Sequence, residues 1–170
     1  MQKTLTSHTS IDNVSITSTL NIFPKKVHLT FMLNGEIKNY IVPNKEKLKR
    51  ANELWKTTCF ELFLANSKEE KYYELNISPT LAWNFYTLSE YRAVPKEVAE
   101  EIEPLIMSRR DEENYEITFE LESKTVNFEA FDTFNLACIL LSNAKKRTFW
   151  SLNPQHGLPD FHNQQSFSKL

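Results

Sequence analysis

Alternation of apolar and polar residues with a period of two is the feature that most constrains the fold of this chain. It is clearest in residues 14–22, 27–33, 73–78 and 115–121. Successive side chains of a strand point to opposite faces, so each segment predicts a half-buried β-strand. Residues 134–141 are apolar at both parities, which predicts a central strand covered on both sides.

Helical patterns are few. Residues 44–54 are charged with two apolar residues three apart, and residues 95–102 begin with a proline suited to a first helical turn. We expect one or two short helices there. Asn34-Gly35 is a hairpin signal that predicts a returning strand over residues 37–42. Many short strands with few helices favour a single domain over residues 1–170, mainly β, folded as one antiparallel β-sandwich.

Composition excludes several classes of function. Twenty Lys and Arg against 22 Asp and Glu give a net charge of −2, so no basic surface argues for nucleic acid. The only glycines, Gly35 and Gly157, cannot form a glycine-rich phosphate loop. No apolar run reaches signal-peptide or membrane-spanning length, so we expect a cytoplasmic protein without a membrane partner. Cys59 and Cys138 lie in apolar segments and are expected to be buried thiols.

Residues 54–63 are the most informative candidate for a site. Interpreted as one regular strand, they place Trp55 and Glu61 on one face, because the two are six residues apart. Phe60 and Leu62 then lie on the opposite, core face. A flat aromatic beside a carboxylate can bind a polar, disc-shaped ligand such as a sugar.

A second predicted strand carries polar side chains on one face, Glu74 and Asn76 among them. Two interpretations stay open. The face is solvated, as is common in antiparallel sheets, or it joins Glu61 in one polar site if the two strands are neighbours. Glu61 and Glu74 also allow a paired-carboxylate hydrolase, which requires a raised pKa on one of them.

Aromatic residues and an arginine follow this strand. Trp83 and Tyr86 are either a ligand wall or ordinary packing, and the planar fork of Arg92 suits hydroxyl groups or a carboxylate. Asp160 and His162 are two residues apart without a third ligand at suitable spacing, so we expect them to tie down a loop. No motif supports calcium or haem as a cofactor, and we predict none.

Taken together, these motifs resemble the bacterial DOMON-like proteins, a group related to the family 9 carbohydrate-binding modules. Thr58-Cys59-Phe60-Glu61 and Tyr73-Glu74-Leu75-Asn76 carry the resemblance most strongly. Further matching segments are residues 83–86, 91–92, 150–154 and 159–162. The resemblance implies a β-sandwich of the immunoglobulin-like or jelly-roll kind.

The resemblance also implies residue roles. In the sugar-binding relatives two tryptophans clamp a sugar ring while polar strand residues bind its hydroxyls. Trp55 matches the first tryptophan, Glu61 the nearby glutamate and Asn76 a strand asparagine, and Trp150 is the candidate for the second clamp. Glu74 stands where those modules tend to have an arginine.

We therefore predict a non-catalytic protein that binds a carbohydrate or another small polyhydroxyl ligand. One alternative is a haem-binding or redox module, as in some DOMON proteins, which needs axial His or Met ligands. The candidates for those ligands are His28, Met32, Met107, His156 and His162. The other alternative is a protein-interaction domain that keeps the fold without sugar binding.

Overall fold

The computed structural model describes residues 1–9, 11 and 13–170. Strands dominate these residues. They are β1 (Gln2–Ser7), β2 (Val14–Phe23), β3 (Lys26–Gly35), β4 (Lys49–Arg50), β5 (Cys59–Ala65), β6 (Tyr72–Ile77), β7 (Ala82–Leu88), β8 (Lys96–Glu97), β9 (Leu105–Arg110), β10 (Asn114–Glu122), β11 (Thr133–Leu141), β12 (Arg147–Ser151) and β13 (Ser168–Lys169).

The helical segments of the described residues are short 3-10 turns, at Ile37–Asn39, Leu54–Lys56, Phe128–Ala130 and Gln164–Ser166. Within this part of the chain, no helix has the length and apolarity needed to cross a membrane.

The strands form one continuous sheet with two halves. The first half runs β1-β2-β3-β10-β9, and the second half runs β12-β11-β5-β6-β7-β4, with β8 and β13 at its edges. β1 joins the halves because Leu5 pairs with Ile16 of β2 while Thr6 pairs with Ser151 of β12. The prediction of a mainly β fold is confirmed. The predicted purely antiparallel arrangement is wrong at one edge, where β4 runs parallel to β7.

The core lies between the two halves, because the sheet curls over itself. Phe31 of β3 packs on Phe60 of β5 with ring centroids 5.1 Å apart, and Trp83 of β7 packs on Phe119 of β10 at 6.3 Å. Alternate residues of the amphipathic strands fill this space, as predicted. β11 is central and buried on both faces, and the Cys138 thiol, like that of Cys59, is free and buried.

The predicted helix over residues 95–102 is wrong. Lys96 and Glu97 form β8, which pairs with β7, and the Val98 backbone N–H donates to the Phe85 carbonyl over 2.9 Å. Strand pairing there outweighs a weak local helix pattern. Residues 44–54 hold the two-residue strand β4 in place of helical turns, and only the 3-10 turn at Leu54–Lys56 begins at their end.

The predicted hairpin after Asn34-Gly35 is also wrong. β3 pairs with β2 and β10, and residues 37–39 form a 3-10 turn. Gly35 has φ of 117°, and a Cβ there would collide with the carbonyl oxygen of Asn13. Close approach of two backbones therefore explains the glycine.

Candidate functional site

The outer face of the second half brings together three predicted polar residues. Glu61 of β5 is the direct pairing partner of Asn76 of β6, and Glu74 lies two residues from Asn76 on the same face. Glu61 is 3% exposed, Glu74 7% and Asn76 2%. The interpretation of this face as solvated is therefore wrong.

These three residues line a cleft of about 810 Å³. Its other walls come from β7, β8, β11 and β12 and from the loops around Trp55, Arg92 and His162. The wall residues are Asn52, Glu53, Trp55, Tyr86, Leu88, Arg92, Ala93, Val94, Pro95, Glu97, Ile139, Arg147, Phe149, Pro159, Phe161 and His162. The volume lies in the range of small-molecule binding sites.

Trp55 reaches the cleft by a different local structure from the predicted one. The single strand over residues 54–63 is wrong at its start, because Leu54–Lys56 is a 3-10 turn and β5 begins at Cys59. Glu53, just before the turn, has left-handed dihedral angles of φ 61° and ψ 27°. The Trp55 side chain lines the cleft and is 43% exposed, so its ring is available to a ligand.

Arg147 lies close to two aromatic rings of the cleft. Its guanidinium carbon is 5.9 Å from the Trp55 ring centroid and 5.6 Å from the Phe149 centroid. Both distances allow cation–π attraction. Phe149 therefore supplies a second aromatic wall of the cleft.

The second predicted clamp, Trp150, does not lie in the cleft. It is 3% exposed in the core between the halves, and its indole N–H donates to Thr148 Oγ1 over 3.1 Å. Phe149 and Trp150 are consecutive strand residues, so they point to opposite faces. The structure therefore removes Trp150 as a ligand contact.

Trp83 is also a core residue, because its position in β7 points it to the face between the two halves. It is 2% exposed, and the Arg50 guanidinium stacks on it at 4.4 Å from the ring centroid. Tyr86, on the other parity of β7, does line the cleft and donates its hydroxyl proton to Asn52 Oδ1 over 2.6 Å. Burial raises the pKa of Tyr86 to about 12.

Arg92 lines the cleft and connects two loops. Its Nη2 lies 3.0 Å from Asp160 Oδ1, and Asp160 also accepts a hydrogen bond from the Tyr91 hydroxyl. The backbone of Arg92 is left-handed, with φ of 53°. A non-glycine residue in this region costs energy, so the surrounding contacts hold the loop in place. Asp160 has the loop-tying role predicted for it.

His162 is a half-buried neighbour of β6. Its Nδ1 lies 2.8 Å from the Tyr72 hydroxyl, and its ring packs edge-on against Phe63. Burial, together with the nearby positive charge of Arg92, lowers the pKa of His162 to about 4. The imidazole is therefore neutral at neutral pH.

Glu61, Glu74 and Asn76 form the floor of the cleft. The pKa values of both floor carboxyl groups are raised. Burial raises the pKa of Glu74 to about 7, although the Asn76 amide donates to Glu74 Oε1 over 2.7 Å and opposes the shift. Burial, and then the negative charge of Glu74, raise the pKa of Glu61 well above its ordinary value. Across the described residues, no Lys, Arg or His nitrogen lies within 4.0 Å of either carboxyl.

An unpaired acceptor lies beside these carboxyl groups. Within the described residues, Asn76 Oδ1 is buried and has no hydrogen-bond partner. A buried polar atom without a partner carries an energetic cost that a bound ligand can relieve. The cleft floor thus presents hydrogen-bonding capacity that the protein itself leaves unused.

Other cleft residues escaped the sequence analysis. Asn84, under the cleft, donates to Asn52 Oδ1 over 3.0 Å and to Glu97 Oε1 over 2.8 Å, which fixes these two wall residues. Both wall residues lie in segments where the sequence predicted helical turns, so no sequence signal placed them beside β7. Phe149 could have been found, because it has the opposite parity to Trp150.

In the described residues, the candidate metal and haem ligands do not come together in the cleft. The described residues contain no group of three His, Cys, Asp or Glu side chains placed to hold a metal ion. Of the five haem-ligand candidates, His162 alone lines the cleft, whereas His28 and Met32 lie on the outer face of the first half.

The curled β fold is similar to the folds of several solved carbohydrate-binding structures. A candidate carbohydrate-binding protein from Bacteroides uniformis superimposes with a TM-score of 0.63 at 11% identity, over 99% of this chain and 84% of that one. No protein-family model matches the sequence, and a comparison with curated proteins finds no match.

Two further similar structures are carbohydrate-binding modules of family 9 from Caldicellulosiruptor kristjanssonii. The complex with glucose gives a TM-score of 0.54 at 9% identity, over 94% of this chain and 77% of the module. The complex with cellotriose gives 0.53 at 8% identity, over 92% and 74%. At these identities the likeness establishes a common fold.

Proposed function

We propose that this protein is a non-catalytic domain that binds a carbohydrate, or another small polyhydroxyl ligand, in the cleft. The observation that carries the proposal is the placement of an exposed Trp55 ring in one cleft with the buried polar groups of Glu61 and Asn76. The Trp55 face stacks on the C–H surface of a sugar ring. The floor residues hydrogen-bond its hydroxyls.

The surrounding structure supports binding at low ordering cost. β5 and β6 hold the floor residues in regular pairing, and the Arg92–Asp160 ion pair holds one wall. Groups that are already in position lose little freedom when a ligand binds. The glucose and cellotriose complexes of two structural neighbours support the choice of a sugar-like ligand.

We extend the proposal to the family and the architecture. Residues 1–170 act as a single domain, with the two halves of the curled sheet serving as the layers of a sandwich of the immunoglobulin-like or jelly-roll kind. The DOMON-like kinship stays part of this proposal, and the structural likeness to family 9 modules supports it.

A second candidate function is glycoside hydrolysis by Glu61 and Glu74. The favouring observation is the pKa of Glu74, raised by burial to about 7, where a general acid works well. Turnover of chromogenic glycosides by the purified protein, lost in Glu74→Gln, would establish this function. No turnover across a panel of such substrates leaves the binding function in place.

The binding proposal is tested by calorimetric titration with glucose, N-acetylglucosamine, cellobiose and cellotriose. We expect saturable binding of at least one sugar, weakened about tenfold or more in Trp55→Ala. The matched control is Phe23→Ala, since Phe23 is a 50% exposed aromatic at the end of β2. Equal affinity of wild type and Trp55→Ala would contradict the stacking role, and no binding of any sugar would contradict the function.

A further inference from the structure

The free polar atoms on the cleft floor share one chemical property. In their ionised state the carboxylates of Glu61 and Glu74 only accept hydrogen bonds, and the unpartnered Asn76 Oδ1 is also an acceptor. One N–H of the Asn76 amide already donates to Glu74. A ligand that binds the ionised carboxylates and Asn76 Oδ1 therefore supplies donors.

The charge of the cleft floor also favours a ligand with hydrogen-bond donors, and in particular a cationic one. In the described part of the chain, neither Glu61 nor Glu74 has a cationic side chain within ion-pairing distance. An isolated buried carboxylate is costly, so burial favours the protonated form of the pair. A cation supplied by the ligand can take the place of those protons.

The remaining charged or titratable groups around the cleft do not supply a counter-charge to Glu61 and Glu74. Those that line the cleft are Glu53, Tyr86, Arg92, Glu97, Arg147 and His162. Cys59 and Tyr72 lie on β5 and β6 at the parity of the two glutamates. Arg92 is already paired with Asp160, His162 is neutral, and Arg147 lies against the Trp55 and Phe149 rings.

We propose that the cleft selects a ligand that carries a protonated amine, and that its preferred carbohydrates are amino sugars. The inference rests on the proposed function, whose site it uses. An ammonium group offers three N–H donors and a positive charge to Glu61, Glu74 and Asn76 Oδ1. The sugar ring carrying it stacks on Trp55, and that aromatic face also attracts a cation.

The test compares four sugars and one amine at pH 7 by calorimetry. The probes are glucosamine, glucose, N-acetylglucosamine, glucuronate and putrescine. We expect glucosamine to bind at least about tenfold more tightly than glucose, the ratio typical of one charge-assisted hydrogen bond. N-acetylglucosamine, which keeps the ring and loses the charge, should bind no better than glucose.

Variants assign the preference to the floor. Glu61→Gln combined with Glu74→Gln keeps the shape of the side chains and should bring the glucosamine-to-glucose ratio close to one. The control is Glu120→Gln, a partly exposed glutamate on the first half, which should leave the ratio unchanged. Circular dichroism checks whether the double variant folds. If it does not, the single variants Glu61→Gln and Glu74→Gln are used, and each should lower the glucosamine-to-glucose ratio by itself.

Proton release gives an independent readout. If the ammonium replaces protons on the glutamate pair, glucosamine binding to the wild type releases protons, whereas glucose binding does not. Titrations in two buffers of different ionisation enthalpy measure this difference. The difference should disappear in the double variant.

The outcomes separate the inference from the proposed function. Glucose binding with no preference for glucosamine, or tightest binding of glucuronate, overturns the amine inference and leaves the carbohydrate function standing. Putrescine binding without any sugar supports the amine preference and overturns the carbohydrate function. No binding of any probe overturns both.

Discussion

The outer faces of the two halves of the sheet both carry polar side chains, yet these side chains differ in burial and pairing. On the first half, Lys26 Nζ lies 2.8 Å from Glu120 Oε1 and Thr30 Oγ1 lies 3.0 Å from Thr118 Oγ1, and all four residues are only partly buried. On the second half, Glu61 and Glu74 are buried without a counter-charge in the described residues.

This contrast shows that alternation alone does not define what a polar face does. The same period of two gives a solvated surface where nothing covers the sheet, and a cleft where loops do. The cover here comes from the residues around Trp55, Arg92 and His162. Coverage turns ordinary strand carboxyl groups into desolvated ones with raised pKa values.

The largest expected effect comes from the core face that supports both regions. Phe60→Ala removes a fully buried ring between the halves, and we expect it to lower the free energy of unfolding by about 3–5 kcal/mol. Denaturant unfolding measures the change. Phe23→Ala is the control, because Phe23 is half exposed and its loss should cost under about 0.5 kcal/mol. Equal losses in the two variants would contradict the assigned core.

The next largest effect is a pH dependence of the free energy of unfolding, which comes from the buried carboxyl groups of Glu74 and Glu61. The folded-state pKa of Glu74 is raised from 4.5 to about 7, so the folded protein binds more protons than the unfolded chain in this window. Stability is therefore full below about pH 4.5 and falls as pH rises toward 7, by up to about 3 kcal/mol for this group. The raised pKa of Glu61 extends the loss to higher pH.

Glu74→Gln removes this contribution, together with the part of the Glu61 pKa shift that the Glu74 charge causes. His162 has the opposite sign, since its lowered pKa of about 4 makes stability rise with pH up to 6.5. The difference between wild type and Glu74→Gln cancels His162, and it should fall steadily from pH 5 to pH 7. Glu120→Gln on the solvated face serves as the matched comparison. A pH-independent difference for Glu74→Gln would refute the desolvated pair.

Trp55→Ala should separate binding from stability. The ring is 43% exposed on a 3-10 turn, so we expect a change in unfolding free energy below about 0.5 kcal/mol. Sugar affinity should fall about tenfold or more, near 1.4 kcal/mol. Denaturation and calorimetry on one preparation measure both. A large stability loss would instead identify Trp55 as a packing residue.

The smallest effect is expected on the solvated face. Thr30→Val removes the Thr30–Thr118 contact but keeps a β-branched side chain, so the loss of stability should stay below about 1 kcal/mol. Sugar binding should not change. A change in affinity would mean that this face, and not only the covered one, takes part in binding.

Much of the fold could be predicted from alternation, because it depends on the buried face of each strand. β2, β3, β10 and β11 follow from their side-chain patterns alone. The wrong predictions concern segments whose secondary structure depends on tertiary contacts. Residues 95–102 lose their helix to pairing with β7, and residues 37–42 have no returning strand because β10 takes that edge of β3.

The site was predictable only in part. The parity of Glu74 and Asn76 placed these two on one face, since strand geometry fixes parity locally. Whether Glu61 joined them depended on the pairing of β5 with β6, which the sequence left open. Trp83 and Trp150 needed the register of whole strands to be recognised as core. The loops that bury the glutamates have no periodic pattern, so neither the cleft nor its raised pKa values could be deduced beforehand.

The central claim is that a sugar binds in the cleft against Trp55. The chain has three tryptophans, so NMR spectra of the 15N-labelled protein contain three indole N–H signals, assigned with Trp55→Phe. During titration with glucosamine and glucose, the account predicts a saturable shift of the Trp55 signal while those of the buried Trp83 and Trp150 stay in place. An unmoved Trp55 signal at saturating sugar, or shifts confined to the two buried indoles, would contradict it.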